Sequence, residues 1–153
     1  VSADVTVELP VDAHIPESYV PEERLRLEAY KAIASVTGDE DIDAVVAELI
    51  DRYGQFPASV ETLFDVARLR LLARRAGLTE IVAAGNRVRL SPVELPESRM
   101  MRLTRLYPGT QLKAATRTAL VARPMTAKVG GKPLANRELI AWASELIQSV
   151  FLD

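Results

Sequence analysis

The spacing of the apolar residues changes at Gly77, and this change limits the folds that the chain can adopt. Before Gly77, apolar residues recur every three or four positions, which is the spacing of amphipathic helices. After it, residues 78–84 and 87–90 are rich in strand-forming side chains and flank Gly85-Asn86, a pair typical of a two-residue hairpin turn. The sequence therefore predicts a helical half followed by a half that contains β-hairpins.

Prolines, glycines and capping residues indicate where the elements of the first half begin and end. Residues 10–21 contain three prolines, so residues 1–20 are expected to form an extended lead-in, with a short strand at residues 5–9. A single domain is expected over residues 21–153. Its first three predicted helices run from Pro21 to about Val36, from a capping Asp39 to Gly54, and from Pro57 or Ser59 to Ala76.

The second half is expected to hold two hairpins with helices beside them. The strands of the second hairpin are predicted at residues 111–115 and 118–122, although Thr116-Arg117 is poor turn chemistry. A helix over residues 97–106 precedes this hairpin, a loop over residues 123–133 follows it, and a last amphipathic helix is expected to begin at a capping Asn136. The predicted fold class is α+β, with a helical N-terminal half followed by two antiparallel β-hairpins with flanking helices.

Charge is distributed very unevenly along the chain. Residues 1–65 contain 15 acidic and 4 basic residues, a net charge of −11, whereas residues 66–153 contain 15 basic and 6 acidic residues, a net charge of +9. Such asymmetry indicates partner surfaces of opposite sign, or two halves that attract each other on folding.

The residues needed for most catalytic or metal sites are missing from the sequence. The 153 residues include no Cys and one histidine, His14, so a catalytic triad or a zinc site cannot be assembled. Gly130-Gly131-Lys132 resembles part of a phosphate loop, but Pro133 stands where that loop needs Ser or Thr. No apolar run approaches the length that a membrane-spanning helix needs, so no membrane span is expected. We expect no enzyme activity, metal or cofactor in this chain.

Two acidic residues in the segment ELIDRYGQFP are candidates for a contact site. On the second predicted helix, the apolar stripe leaves another side that carries Asp41, Ala44, Glu48 and Asp51. Glu48 and Asp51 are therefore neighbours on the surface, with Ala44 and Ala47 beside them. A solvated surface, a catalytic carboxylate pair and a charged contact with a partner all fit this spacing. Small alanines would let a partner backbone approach while an arginine pairs with the carboxylates.

A second candidate surface is basic. Arg99, Arg102 and Arg105 recur every third residue on one short helix, and Arg87 and Arg89 share a face of one strand. This pattern fits a solvated face, a charged protein contact or a nucleic-acid backbone contact. The region has one aromatic residue for stacking on bases, Tyr107, so nucleic-acid binding is kept as the alternative function.

Two stretches resemble the C-terminal domain of the bacterial transcription-repair coupling factor. The first is IPESYVPEERLRLEAYKAIA at residues 15–34, with its Pro-x-x-Tyr-x-Pro and Arg-Leu-x-x-Tyr patterns. The second is ELIDRYGQFPASVETLFDVARLRLLARRAG at residues 48–77. The agreement covers roughly residues 5–90 and is weaker beyond them.

The resemblance implies a non-catalytic, autoinhibitory domain at the end of an ATP-driven DNA translocase. In that family, this domain packs on an N-terminal repair-like module of the same protein and covers the surface that recruits the excision-repair damage-recognition ATPase. Carried over to this sequence, Glu48 and Asp51 belong to that interdomain contact, opposite arginines. The resemblance implies no role for the basic half.

The resemblance also implies the setting of the parent protein. Its expected partners are RNA polymerase, DNA and the repair ATPase, its expected location is the bacterial cytoplasm, and no membrane is involved. ATP and magnesium are expected in a motor that precedes this domain, which agrees with a chain that starts at Val1 rather than Met. The whole chain is therefore expected to be the C-terminal part of a larger translocase.

Overall fold

A computed structural model describes residues 4–152 of the chain. The described residues contain five α-helices and five strands, which agrees with the predicted α+β class. The chain divides into two compact units, of which one comprises Val11–Leu71 and the other comprises residues before 11 and after 71. We call these the three-helix unit (residues 11–71) and the sheet unit (residues 4–10 and 72–152). The boundary between residues 71 and 72 falls within the third helix.

The three-helix unit contains α1 (Glu23–Ala34), α2 (Asp39–Tyr53) and most of α3 (Ala58–Arg75). Each helix turns its apolar stripe toward a shared core, as the helical spacing predicts. The buried residues of this core are Ile15, Val20, Ile33, Val36, Ile42, Leu49, Val60, Phe64, Ala67 and Leu71.

Residues 11–20, which were expected to be an extended lead-in, are held tightly to the helices. Ile15 and Val20 are 3% and 0% exposed. The Ile15 backbone N–H donates to the Tyr30 hydroxyl at 2.7 Å, and Arg26 Nη1 donates to the Val20 carbonyl at 2.8 Å. These residues therefore form part of the three-helix unit, while the division into a lead-in at 1–20 and one domain at 21–153 stays a prediction.

The sheet unit contains a five-stranded sheet in the order β1-β2-β3-β5-β4. The strands are β1 (Thr6–Glu8), β2 (Glu80–Ala84), β3 (Arg87–Ser91), β4 (Gln111–Lys113) and β5 (Thr118–Ala122). Both expected hairpins are present, and β3 pairs with β5 to join them antiparallel in one sheet, with Val88 opposite Val121. Strand β1 adds to the edge in parallel with β2, with Val7 opposite Ile81.

Two helices of the sheet unit complete the fold. Helix α4 (Glu97–Leu106) precedes β4, and α5 (Asn136–Leu146) continues into a π-helical segment over Ile147–Leu152. Their buried residues include Leu103 on α4 and Leu139, Ile140, Ala143 and Leu146 on α5. The Tyr107 ring after α4 packs edge-on against the Trp142 ring of α5, with centroids 5.9 Å apart.

The structure corrects three local predictions. Gly38 rather than Asp39 is the N-cap of α2, and Ala135 rather than Asn136 is the N-cap of α5; neither helix has a side-chain cap hydrogen bond. Strand β4 ends at residue 113 instead of 115, because residues 114–116 form a 3-10 turn that ends at Arg117, which has a left-handed φ of 51°. Such a turn uses residues that the sequence pattern assigned to the strand.

Candidate functional site

The start of α2 explains how its acidic residues divide into two groups. Asp39, Glu40 and Asp41 occupy the first turn, where the partial positive charge of the helix N-terminus favours carboxylates. The Asp41 carboxylate accepts hydrogen bonds from the Thr37 backbone N–H and hydroxyl, both at 2.9 Å. These hydrogen bonds, the backbone one first, lower the pKa of Asp41 from its ordinary value of 3.8. Asp41 therefore serves the helix end itself.

The apolar residues of ELIDRYG fasten the C-terminal end of α2. Leu49 is 5% exposed, and the Tyr53 ring lies 5.7 Å from the Tyr19 ring. The Tyr19 hydroxyl donates to the Gly54 carbonyl at 2.7 Å and to the Leu49 carbonyl at 3.2 Å. Burial, and to a smaller extent the neighbouring Tyr53, raises the pKa of Tyr19. Gly54 ends the helix with a φ of +82°, a conformation that glycine adopts without strain.

The acidic residues of the same motif lie on the opposite side and face solvent. The side chain of Glu48 is 64% exposed, and its nearest cation is Arg52 of the same helix, with Nη1 3.7 Å from Oε1. The Arg52 guanidinium also lies over the Tyr53 ring, 5.5 Å from its centroid. Asp51 is exposed, and within residues 4–152 it has no ion pair or hydrogen-bond partner for its side chain. Exposed ion pairs such as Glu48–Arg52 contribute little to stability.

Small and acidic residues cover most of the outward side of α2, and Arg52 is exposed beside them. We call this surface the acidic face: Glu40, Asp43, Ala44, Ala47, Glu48 and Asp51, all of which are exposed. It belongs to a unit with 13 acidic and 6 basic residues between positions 11 and 71, a net charge of −7. Ala44 and Ala47 are exposed between the carboxylates, so the face is acidic and carries little side-chain bulk.

The groove next to the acidic face is too small for a metabolite. It has a volume of about 70 Å³ and lies between α1 and α2. Glu28 and Glu48 are among its lining residues, with Val45 and Leu49 on the α2 side. Sites for small-molecule ligands usually measure about 300–1,000 Å³.

The structure assigns internal contacts to Arg99 and Arg102, two of the predicted basic residues. Arg99 Nη1 donates to the Val150 carbonyl at 2.8 Å, and Arg102 Nη1 donates to the Ser149 carbonyl at 2.9 Å. The last carbonyls of a helix lack partners within the helix and carry its partial negative charge. The three-residue spacing of these arginines thus fastens α4 to the C-terminal end of the last helix.

The other three arginines have different surroundings. Arg87 donates to the Gly109 carbonyl, and Arg89 Nε lies 3.6 Å from Glu80 Oε2 in the neighbouring strand. Arg105 is exposed, and its side chain has no hydrogen-bond or ion-pair partner among the described residues. The five arginines therefore do not form one free surface, and their role in contacts with a partner stays a prediction.

Metal sites and membrane-spanning helices are both absent from the described part of the chain. Residues 4–152 contain no group of three or more His, Asp or Glu side chains placed to hold a metal ion. No helix within those residues has the length and hydropathy needed to cross a membrane.

Comparisons with known sequences identify relatives over most of the chain. The model of the TRCF domain family matches residues 9–103. The transcription-repair-coupling factor of Mycobacterium bovis is 44% identical over 148 residues, which is 96% of this chain and 12% of that protein. The Escherichia coli K12 protein of the same name is 36% identical over 80 residues, 52% of this chain and 7% of that protein. The chain thus spans about an eighth of the curated relatives that match most of it.

One solved structure has the same fold. It is described as the crystal structure of the C-terminal domain of transcription-repair coupling factor, and it matches with a TM-score of 0.75 at 15% sequence identity. The match covers 98% of this chain and 92% of that one. At this identity the likeness concerns the fold, and it agrees with the α+β class predicted from the sequence.

Proposed function

Because this chain belongs to the TRCF domain family of bacterial transcription-repair-coupling factors, we propose that it is a non-catalytic regulatory domain that restrains its parent protein. It does so by holding a second module of that protein through the acidic face of α2. The observation that carries this proposal is the exposure of Glu48 and Asp51 beside Ala44 and Ala47, on a helix whose other side is buried.

The proposed parent is an ATP-driven DNA translocase of the bacterial cytoplasm that couples transcription to nucleotide excision repair. Its ATP and magnesium are held by a motor outside this chain. The module held by the acidic face is the N-terminal repair-like module of the parent. While it is held, the surface that recruits the excision-repair damage-recognition ATPase is covered. RNA polymerase and DNA are partners of the parent protein in this proposal.

The acidic face provides a simple physical basis for such a restraint. An arginine fork can bind a carboxylate with two parallel hydrogen bonds, and the alanines allow the partner backbone to come close enough. A charge-assisted hydrogen bond contributes about 1.5–3 kcal/mol when contact removes it from water. Two such contacts shift a closed-to-open equilibrium by roughly a hundredfold or more. Glu48 and Asp51 thus offer enough interaction energy for a reversible clamp.

The direct test is binding between the 153-residue chain and the N-terminal repair-like module of its parent. We expect isothermal titration calorimetry to show binding that Asp51→Arg weakens at least about tenfold, because the substitution sets like charges against each other. Glu48→Ala plus Asp51→Ala is expected to weaken binding less than the charge reversal. In the full-length parent, the same changes should increase binding of the repair ATPase.

Glu17→Arg is the matched control, since it makes the same change of charge at an exposed residue outside α2. We expect this variant to bind the module as the unaltered chain does, apart from a slight loss of affinity because the unit becomes less acidic. Equal binding by Asp51→Arg and the unaltered chain would overturn the proposal. A reversal variant that melts well below the unaltered chain would show that Asp51 is needed for folding and not for contact.

A further inference from the structure

The proposed contact through the acidic face gives no role to a basic stretch of the sheet unit. Residues 98–137 contain nine Lys and Arg residues and no Asp or Glu. Arg99 and Arg102 bind carbonyl groups of the last helix, and Arg117 pairs with Glu94. Four other cations of this stretch are exposed and have no partner for their side chains among the described residues: Arg105, Lys113, Lys128 and Lys132.

Two of these residues, Lys128 and Lys132, stand on a loop that hydrogen bonds close across its width. The loop covers residues 124–133 after β5. The Thr126 backbone N–H donates to the Lys132 carbonyl at 2.8 Å, and the Lys132 N–H donates to the Thr126 hydroxyl at 3.0 Å. At its base, the Leu134 N–H donates to the Pro124 carbonyl at 2.9 Å. These bonds close the loop across its width.

Glycine is needed at the tip of this loop. Gly130 has a left-handed φ of +70°. A Cβ atom at Gly131 would lie 2.5 Å from the backbone nitrogen and oxygen of Ala127, closer than atoms pack. The backbone at residue 131 can therefore approach the backbone at Ala127 this closely only because residue 131 is glycine. This close approach leaves the side chains between Ala127 and Lys132 facing outward.

The loop exposes apolar side chains between its lysines. Val129 is 90% exposed and Met125 is 48% exposed, which places both among the exposed large hydrophobic residues of the chain. Lys128 and Lys132 flank Val129 and are exposed as well. We call these four residues the loop surface. Burying the valine and methionine against a partner would remove apolar area from water at the same place where two cations are presented.

Further apolar and basic residues lie at the same end of the sheet. The Arg123 N–H donates to the Asn86 carbonyl at 2.9 Å, so the loop starts next to the β2–β3 turn. Arg87, just after that turn, donates to the Gly109 carbonyl. Gly109 follows the end of α4, where Arg105 is exposed and Leu106 is 47% exposed. Arg105 and Leu106 thus lie near the same turn as the start of the loop.

The mixture of side chains favours a protein partner over nucleic acid. Phosphate groups would engage the lysines but leave Val129 and Met125 without an apolar counterpart. The nearby aromatic residue, Tyr107, is half-buried against Trp142 and so is not free to stack on a base. Acidic side chains would match the lysines, and aliphatic side chains would match the valine and methionine. We propose that the loop surface binds an acidic protein segment that carries aliphatic side chains.

The test uses defined probes with the 153-residue chain. One is a labelled synthetic peptide of about 15 residues that repeats Glu-Glu-Leu, and the second has Gln in place of each Leu, so that charge is unchanged. The third is a DNA duplex of about 20 base pairs, and all three are titrated at about 0.15 M salt by fluorescence anisotropy. We expect the leucine peptide to bind most tightly, and the glutamine peptide and the duplex to bind at least about fivefold more weakly.

Substitutions separate the charge of the loop from its apolar tip. Lys128→Gln plus Lys132→Gln should weaken binding of both peptides, by roughly tenfold for the leucine peptide. Val129→Ser should weaken binding of the leucine peptide alone, by about threefold to fivefold. Lys113→Gln, an exposed lysine on β4, is the matched control and should leave the affinity of the leucine peptide within about twofold of the unaltered chain.

Three results would each overturn the proposal. The first is tighter binding of the duplex than of the leucine peptide, which would assign the surface to nucleic acid. The second is equal binding of the two peptides, and the third is an effect of Lys113→Gln as large as that of the loop variants. The peptide and DNA titrations use variants of the loop, whereas the clamp is tested with variants of α2 and a different binding partner, so failure here and failure of the proposed clamp are separate findings.

Discussion

The three-helix unit and the sheet unit use their charged helices in opposite ways. On α2, Glu48 and Asp51 face solvent. Among the described residues, their one ion pair is the weak contact of Glu48 with Arg52 of the same helix. On α4, Arg99 and Arg102 stand at a similar three-residue spacing, yet both bind backbone carbonyls of the last helix. Regular spacing of charges on a helix therefore does not by itself distinguish side chains that face solvent from side chains that bind backbone groups of the same unit.

The largest expected effect is loss of stability when the α4 arginines are removed. Arg99→Ala plus Arg102→Ala leaves the Ser149 and Val150 carbonyls without these donors. We expect the free energy of unfolding to fall by about 2–4 kcal/mol, because each lost hydrogen bond involves a charged donor at a half-buried site. Urea denaturation measures the change. Arg105→Ala, on the same helix, is the control and should stay within about 0.5 kcal/mol.

If the double arginine variant loses no more stability than its control, the contrast between the two helices disappears. Both helices would then carry solvated charges, and the arginines would return as candidates for a contact face with Arg87, Arg89 and Arg105.

A smaller effect is expected at the tyrosine that fastens the end of α2. Tyr19→Phe removes the hydroxyl that donates to the Leu49 and Gly54 carbonyls. We expect a loss of about 0.5–1.5 kcal/mol, the usual contribution of an intramolecular hydrogen bond. Tyr53→Phe keeps the aromatic pair and is the control, and its unfolding curve should overlay that of the unaltered chain. A larger loss in the control than in Tyr19→Phe would show that the ring pair depends on the other hydroxyl.

The Asp41 carboxylate should make the stability of the three-helix unit depend on acid pH. Hydrogen bonds from Thr37 lower its folded-state pKa below the ordinary 3.8. Its contribution is therefore fully present above that value and is lost as the pH falls through the folded-state pKa. Asp41→Asn should reduce the melting temperature slightly at pH 7 and flatten its decline between about pH 4 and pH 2. Asp43→Asn, at an exposed residue nearby on α2, is the control, and a decline as flat as that of Asp41→Asn would contradict the assignment to Asp41.

The smallest expected effect on folding is at the acidic face itself. Glu48→Ala plus Asp51→Ala should change the free energy of unfolding of the whole chain by no more than about 0.5 kcal/mol, because neither side chain packs in the core. Calorimetric melting measures this. A loss as large as that expected for the double arginine variant would contradict the comparison, since it would make these acids as structural as the α4 arginines.

Local sequence patterns predicted the positions of the helices and turns well, and the roles of individual charged residues less well. The helical periodicity placed α1, α2 and α3 within two or three residues of their observed ends, and Gly85-Asn86 lies at the observed β2–β3 turn. The roles of Arg99 and Arg102 were missed, although their spacing put both on one side of α4. The amphipathic last helix was the available signal, because its C-terminal carbonyls need donors. Asp41 was grouped with Glu48 and Asp51, yet Thr37 engages it locally.

The sequence by itself determined the α+β class, the order of helices and hairpins, and the pairing of small and acidic residues on the outer side of α2. These follow from the helical and strand periodicities, which depend only on near neighbours along the chain. Only the tertiary structure decided that β3 joins β5 and that Arg99 and Arg102 bind the last helix. It also decided that β1, which precedes the three-helix unit along the chain, pairs with β2, which follows that unit. Those contacts depend on which distant backbone groups come within about 3 Å of each other, and no local repeat encodes that distance.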